Sequence, residues 1–133
     1  MAETTTQAPP QTSTFCWNEL MTGNLPAAKT FYTKLFGWTT EEMNMGPAGA
    51  YTIWKKGETS AGGMMQIKGP GMEQVPPHWL SYVTVDNVDA ATKKAQTLGA
   101  KVSVPPTDIP NIGRFSIITD PTGASLGLYT RGR

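Results

Sequence analysis

From Thr14 to Thr22 the chain reads "TFCWNELMT", short, rich in aromatic and apolar residues and free of Gly and Pro, which predicts a β-strand. Gly23 and Asn24 break it. Asn24 is a candidate helix cap, and Pro26 falls in the first turn, where a missing N–H costs little. Ala28, Phe31, Tyr32, Leu35 and Phe36 then recur at spacings of three and four, the period of an amphipathic helix, and Gly37 is a fitting stop. Three short strand patterns follow: "WTTEEMNM", "YTIWKK" and "MMQIK", separated by "GPAG" and "GETSAGG". The same order returns. "HWLSYVTV" predicts a strand, and Asp86 and Asn87 are capping candidates. Val88, Ala91, Ala95 and Leu98 share a helix face closed by Gly99. "KVSVP" with an irregular "PTDIPNIG" extension, "RFSIIT" and "SLGLYT" complete the set, with "DPTGA" as the last turn. The two halves echo each other at an offset of 62, which lays Trp17 on Trp79, Thr22 on Thr84, Ala28 on Ala90 and Gly37 on Gly99.

The pattern predicts an α+β fold: two βαβββ modules forming a curved, mostly antiparallel eight-stranded sheet around a cleft, with the helices outside. One module spans 14–68, a Gly- and Pro-rich linker 69–77, and the other module 78–131, all within a single domain over 14–133. Residues 1–13 contain no large apolar side chain and are expected to be a disordered tail.

Composition narrows the function. Of 133 residues, 11 are Lys or Arg and 10 Asp or Glu, a formal charge of +1, so no basic footprint for nucleic acid or an anionic membrane surface exists. No apolar run approaches the roughly 20 residues that cross a bilayer, and the N-terminus lacks the basic start and apolar stretch of a signal peptide. Cys16, the single cysteine, excludes an internal disulfide; the core is its expected place. A soluble cytoplasmic protein is expected.

"TGNLPAAKTFYTKLFGW" and "ITDPTGASLGLY" resemble the first-helix signature and the closing turn and strand of the vicinal oxygen chelate superfamily, which includes glyoxalase I, extradiol dioxygenases and bleomycin-resistance proteins. "CWNEL", "AGGMM", "PPHWL" and "GRFSIITDPTGA" further resemble its glyoxalase-like branch. The resemblance implies a homodimer, formed through strand edges or exchanged modules. It also implies where metal-dependent members hold their ligands: at the start of each module's first strand and in its last strand. Counting back from the polar caps gives Trp17 and Trp79; counting forward from Asp120-Pro121 gives Gly127, and the offset gives Met65. Indole has no lone pair for a metal, thioether is a soft weak donor, and Gly has no side chain. The chain also has one histidine, His78, where Zn, Fe or Ni sites draw on several His or Cys. No metal and no cofactor are therefore expected, and a metal-dependent glyoxalase or dioxygenase is the disfavoured reading.

Strand alternation places Trp17, Glu19 and Met21 on one face, and Trp79, Ser81 and Val83 on its counterpart, with Met65 and Gly127 joining from the last strands. His78 then faces away. Trp17, Met21, Met65, Trp79, Ser81 and Gly127 are the candidate ligand contacts of a pocket suited to a flat, largely apolar or cationic small molecule. Core-plugging tryptophans would give the same pattern. Glu19 is the candidate general base of a lyase- or isomerase-type enzyme, set against its being paired with a Lys, Arg or backbone donor. Arg114 and Asp108 flank the irregular stretch, and a surface salt bridge is the ordinary reading of them.

Overall fold

A computed structural model describes residues 12–44, 50–67 and 75–132. The elements run β1 (Phe15–Thr22), α1 (Leu25–Phe36), β2 (Thr39–Asn44), β3 (Ala50–Lys56), β4 (Thr59–Gln66), β5 (His78–Thr84), α2 (Val88–Thr97), β6 (Lys101–Ile109), β7 (Gly113–Thr119) and β8 (Ser125–Arg131). This is βαβββ twice. Within the modules the strands hydrogen-bond in the orders β2-β3-β4-β1 and β5-β8-β7-β6. The sheet is mixed: β1 with β4 and β5 with β8 run parallel, whereas the hairpins are antiparallel. Residues 1–11 of the expected tail and 69–74 of the expected linker lie outside the described residues. Ser13 donates its N–H to the carbonyl of Thr84. Among the described residues no helix is long and apolar enough to cross a membrane. Two compact units divide the chain, Trp17–Ser81 and Met1–Cys16 with Tyr82–Arg133.

In Trp17–Ser81, α1 starts where the Asn24 side chain accepts the Ala27 N–H at 3.1 Å, and it ends at Gly37, whose φ of 73° is the left-handed stop. Leu25, Ala28, Tyr32 and Trp38 pack on a core of Leu20, Trp54 and Met64. The indole N–H of the fully buried Trp54 reaches the Gly63 carbonyl at 3.1 Å, so no donor is stranded there. Leu20, Trp54 and Met64 thus face α1. Register pairs Glu19 with Gly63, Met21 with Met65 and Ile53 with Gly63 on the opposite face.

In the other unit, the Asn87 side chain caps α2 by accepting the Ala90 N–H at 3.0 Å. Thr92 donates to the Val88 carbonyl and accepts from Ser116, so a buried hydroxyl pair is satisfied under α2. Leu128 and Val83 are in register on the Ser116 side, whereas Tyr82 and Gly127 lie on the face away from α2. The expected irregular stretch is in part strand: β6 runs nine residues to Ile109 with register shifts between Val102 and Val104 and between Val104 and Thr107, residues 110–112 form a turn, and the two prolines of β6 are tolerated at a sheet edge. Arg114 holds Asp89 with two hydrogen bonds at 2.8 and 3.0 Å and Asp108 at 2.9 Å, the expected surface salt bridge extended to the first turn of α2. Asp120 accepts from Thr122 and Ala124 to close the last turn.

The caps correct the repeat. Asn24 and Asn87 are 63 positions apart, not 62. The glycine-to-glycine offset of 62 survives because the second module is one residue shorter between cap and glycine. Because side chains alternate along a strand, one residue of offset exchanges the two faces. Trp17 therefore corresponds to Leu80 rather than Trp79, and Glu19 to Tyr82 rather than Ser81. The register agrees, since Glu19 pairs with Gly63 and Tyr82 with Gly127.

Candidate functional site

On the first-module face turned away from α1, three side chains form one hydrogen-bonded chain. The Trp17 indole N–H donates to the Tyr51 hydroxyl at 2.8 Å, and that hydroxyl donates to the Glu19 carboxylate. Glu19 and Tyr51 are buried, at 3% and 8% exposure, and Trp17 is half-buried. Burial pushes the Tyr51 phenol well above its ordinary pKa; the Glu19 charge and its hydrogen bond add to this, while the Trp17 N–H opposes it. Tyr51 is thus a neutral donor throughout the physiological range.

Gly63 makes the arrangement possible. A Cβ at Gly63 would stand 1.7 Å from the Tyr51 hydroxyl oxygen and 2.3 Å from the ring carbon that bears it. The absent side chain is the seat of the phenol. Across the sheet Tyr51 pairs with Met43; the Thr52–Met64 register puts Tyr51 beside Met65, and Met65 pairs with Met21. A thioether therefore flanks Tyr51 on either side, and Met43 and Met65 are half-buried.

Trp17, Glu19, Met21 and Met65 are accordingly brought to one face. The other sequence candidates are not. Trp79 donates its indole N–H to the Tyr32 hydroxyl at 3.2 Å, so it lies on the α1 side. Ser81 donates to the Asn18 side chain at 2.6 Å instead of lining that face. Both follow from the one-residue change of offset. Gly127 opens no space for a ligand, because a Cβ there would meet the Tyr82 ring at 2.3 Å; the chain's own tyrosine fills the place. With Trp79 toward α1, alternation turns His78 to the face away from α1, correcting the expectation drawn from the echo. Its Nδ1 lies 2.9 Å from the Pro76 carbonyl, which can only accept, so Nδ1 carries the proton. Cys16 is half-buried rather than enclosed.

The Glu19 partner identified is a phenol, a type the sequence reading did not consider. Tyr51, Gly63, Met43 and Tyr82 were not among the sequence candidates. Alternation in "YTIWKK" and "AGGMM" could have raised the first two, had the hairpin register been countable.

The donor set can be tested against the metal that the fold implies. Trp17 offers an N–H that Tyr51 already takes, Gly63 offers nothing beside Glu19, and Met65 offers a thioether. In the second module the cap count lands on Leu80, and Gly127 lies under Tyr82. Among the described residues no group of three or more His, Cys, Asp or Glu could hold an ion. These residues do not fit a hard divalent cation.

A family model described as Glyoxalase/Bleomycin resistance protein/Dioxygenase superfamily matches residues 14–128. The chain belongs to this superfamily. Among curated proteins it is 40% identical over 114 residues to CFP32 of Mycobacterium bovis, described as a candidate glyoxylase, covering 86% of this chain and 42% of that protein. It is 33% identical over 127 residues to the anthracycline biosynthesis protein DnrV of Streptomyces peucetius, covering 87% and 46%. The chain spans a little under half the length of these relatives. Methylmalonyl-CoA epimerase from Mycobacterium tuberculosis shares the superfamily fold, with a TM-score of 0.64 at 13% identity over 96% of this chain and 94% of that one.

Proposed function

We propose that this superfamily member binds a small, largely apolar or aromatic organic molecule on the first-module sheet face turned away from α1, and does so without a metal. The observation that carries the reading is the Trp17–Tyr51–Glu19 chain. It engages, with an internal hydrogen bond, the indole N–H of Trp17, which stands where the resemblance puts one ligand of a metal-dependent relative. The aromatic edge of Trp17 and the half-buried thioethers of Met43 and Met65 supply adaptable apolar contact next to it. The name of DnrV, which ties that relative to anthracycline biosynthesis, supports a planar aromatic ligand class. A near-neutral chain is less suited to trapping a strongly cationic antibiotic. The proposal has the protein act in the cytoplasm.

The test uses anthraquinone-2-sulfonate as a planar probe and tryptophan fluorescence as the readout. Binding should quench emission in the parent chain and lose most of that quenching in Trp17→Phe. Quenching that is identical in the two would overturn the site, and a stoichiometric divalent ion in protein purified without chelator would overturn metal independence.

A second reading is favoured by the Tyr51–Glu19 hydrogen bond: a lyase- or isomerase-type enzyme in which Glu19 takes a proton from the substrate and Tyr51 steadies the carboxylate. Glu19→Gln should then abolish turnover while leaving binding of a neutral ligand nearly unchanged.

A further inference from the structure

We propose that a row of three polar side chains, Thr39, Lys55 and Ser60, holds the acidic group of an aromatic carboxylate or sulfonate whose planar body lies on the first-module face turned away from α1. This names the ligand class for the site proposed above and rests on that reading. The face is built in cross-strand rows. Met43, Tyr51 and Met65 stand side by side, then Glu41, Ile53 and Gly63, and then Thr39, Lys55 and Ser60. Alternation settles the side of Lys55. Trp54 packs under α1 and Lys56 donates to the Phe36 carbonyl at 3.0 Å, so Lys55 between them points to the other face.

The third row takes its composition from a β-bulge. Trp54 pairs with Gly62, but Lys55 pairs with Ser60 and passes over Ala61. With an unbroken ladder Ala61 would stand beside Lys55. The bulge therefore puts a hydroxyl in place of a methyl group next to the cation, and bulges re-aim side chains in this way beside functional sites. Among the described residues, Lys55 is the one Lys or Arg on this face.

The row has donors to spare. The Lys55 side chain is 23% exposed, and its ion-pair partner Glu41 is 61% exposed and stands off at 3.6 Å, beyond hydrogen-bond length. Such a loose, solvated pair is weak. Among the described residues no hydrogen bond engages the exposed hydroxyls of Thr39 and Ser60. The flexible lysine stem lets the ammonium swing from Glu41 to an oxyanion that also accepts from these hydroxyls. One cation with a carboxylate nearby suits a single negative charge, and a dianionic phosphate would leave an excess beside Glu41. The rings alone would accept a cation; the row selects an anion instead.

Placement fixes the orientation of the ligand. The Glu19 carboxylate accepts from the Tyr51 hydroxyl and lies two strands from Lys55, roughly 10 Å across the sheet, so an acidic group is turned away from it. From the Tyr51 row to the Lys55 row is four residues, roughly 13 Å, the reach of a three-ring aromatic with one acidic substituent. Its body would cover Ile53 and the thioethers while the acid meets Lys55.

The test is a tryptophan-fluorescence titration of the full chain with anthraquinone-2-sulfonate and with neutral 2-(hydroxymethyl)anthraquinone. The parent chain should bind the sulfonate about tenfold more tightly, and added salt should narrow the gap. Lys55→Met keeps the stem and drops the charge. It should bring the two probes to equal affinity and leave the neutral probe unchanged, which also shows that the variant is folded. Ser60→Ala should weaken the sulfonate alone by about threefold, and Glu41→Gln should tighten it by about threefold. Equal affinity for the two probes in the parent, or a preference that survives Lys55→Met, would overturn the anion subsite and leave the ligand face standing. No quenching by either probe would overturn the face and the subsite together.

Discussion

Replacing Tyr51 by Phe removes one oxygen atom and leaves the ring over Gly63 in place. Two groups each lose a hydrogen bond at once: the Trp17 N–H, 2.8 Å away, and the Glu19 carboxylate, which is 3% exposed. An unsatisfied buried donor costs about 1–3 kcal/mol, and a hydrogen bond to a charged group is worth about 1.5–3 kcal/mol. Taking the lower half of each range, because the half-buried indole can recover some hydration, the loss is about 3 kcal/mol. That is a large part of the roughly 5–15 kcal/mol that holds a domain together. Urea unfolding followed by tryptophan fluorescence should show it directly: at a slope of about 2 kcal/mol per molar, the midpoint falls by about 1.5 M with the slope unchanged. A double-mutant cycle with Glu19→Gln isolates the shared bond, and the two losses should be far from additive. Tyr51→Phe within about 0.5 kcal/mol of the parent, or strict additivity with Glu19→Gln, would show that the chain of hydrogen bonds carries no stability.

Gly63→Ala should displace the Tyr51 hydroxyl and cost about 1–3 kcal/mol through overpacking, and Tyr51→Leu in the same chain should return part of it; a neutral Gly63→Ala would refute the seat. Because the folded pKa of Tyr51 is raised, its contribution is fully present below the unfolded value near 10. As pH rises beyond that, the unfolded chain ionises while the folded chain does not, and stability drains away. Denaturation midpoints taken across pH 9–11 should fall less steeply in Tyr51→Phe than in the parent; parallel curves would contradict the shift.

The element order was legible because each segment advertises itself locally: the Asn24 and Asn87 caps, the three-and-four spacing of α1, Gly37, and the Asp120 turn all act within a few residues. The faces were legible only in the first module. There the cap count from Asn24 and the echo agreed, so Trp17, Glu19 and Met21 were assigned together. In the second module they disagreed by one residue, and strand alternation turned that single residue into a reversal for Trp79, Ser81 and His78. Tyr51 was hidden for a different reason. The β3–β4 register shifts between Trp54 and Lys55, so counting outward from the Gly57–Glu58 turn misses the position of Gly63 by one. A bulge of this kind has no local signature strong enough to read in a single sequence.

The mismatch between the echo and the caps is also a rule for engineering this chain. A graft meant to copy the Glu19 position into the second half belongs at Tyr82, above Gly127, and an acid planted at Ser81 would be delivered to the helix side instead. Any symmetric redesign built from two copies of the first module has to be phased on Asn24 and Asn87, with one residue restored before Gly99. Phased on the tryptophans, it would turn one of its two faces inside out.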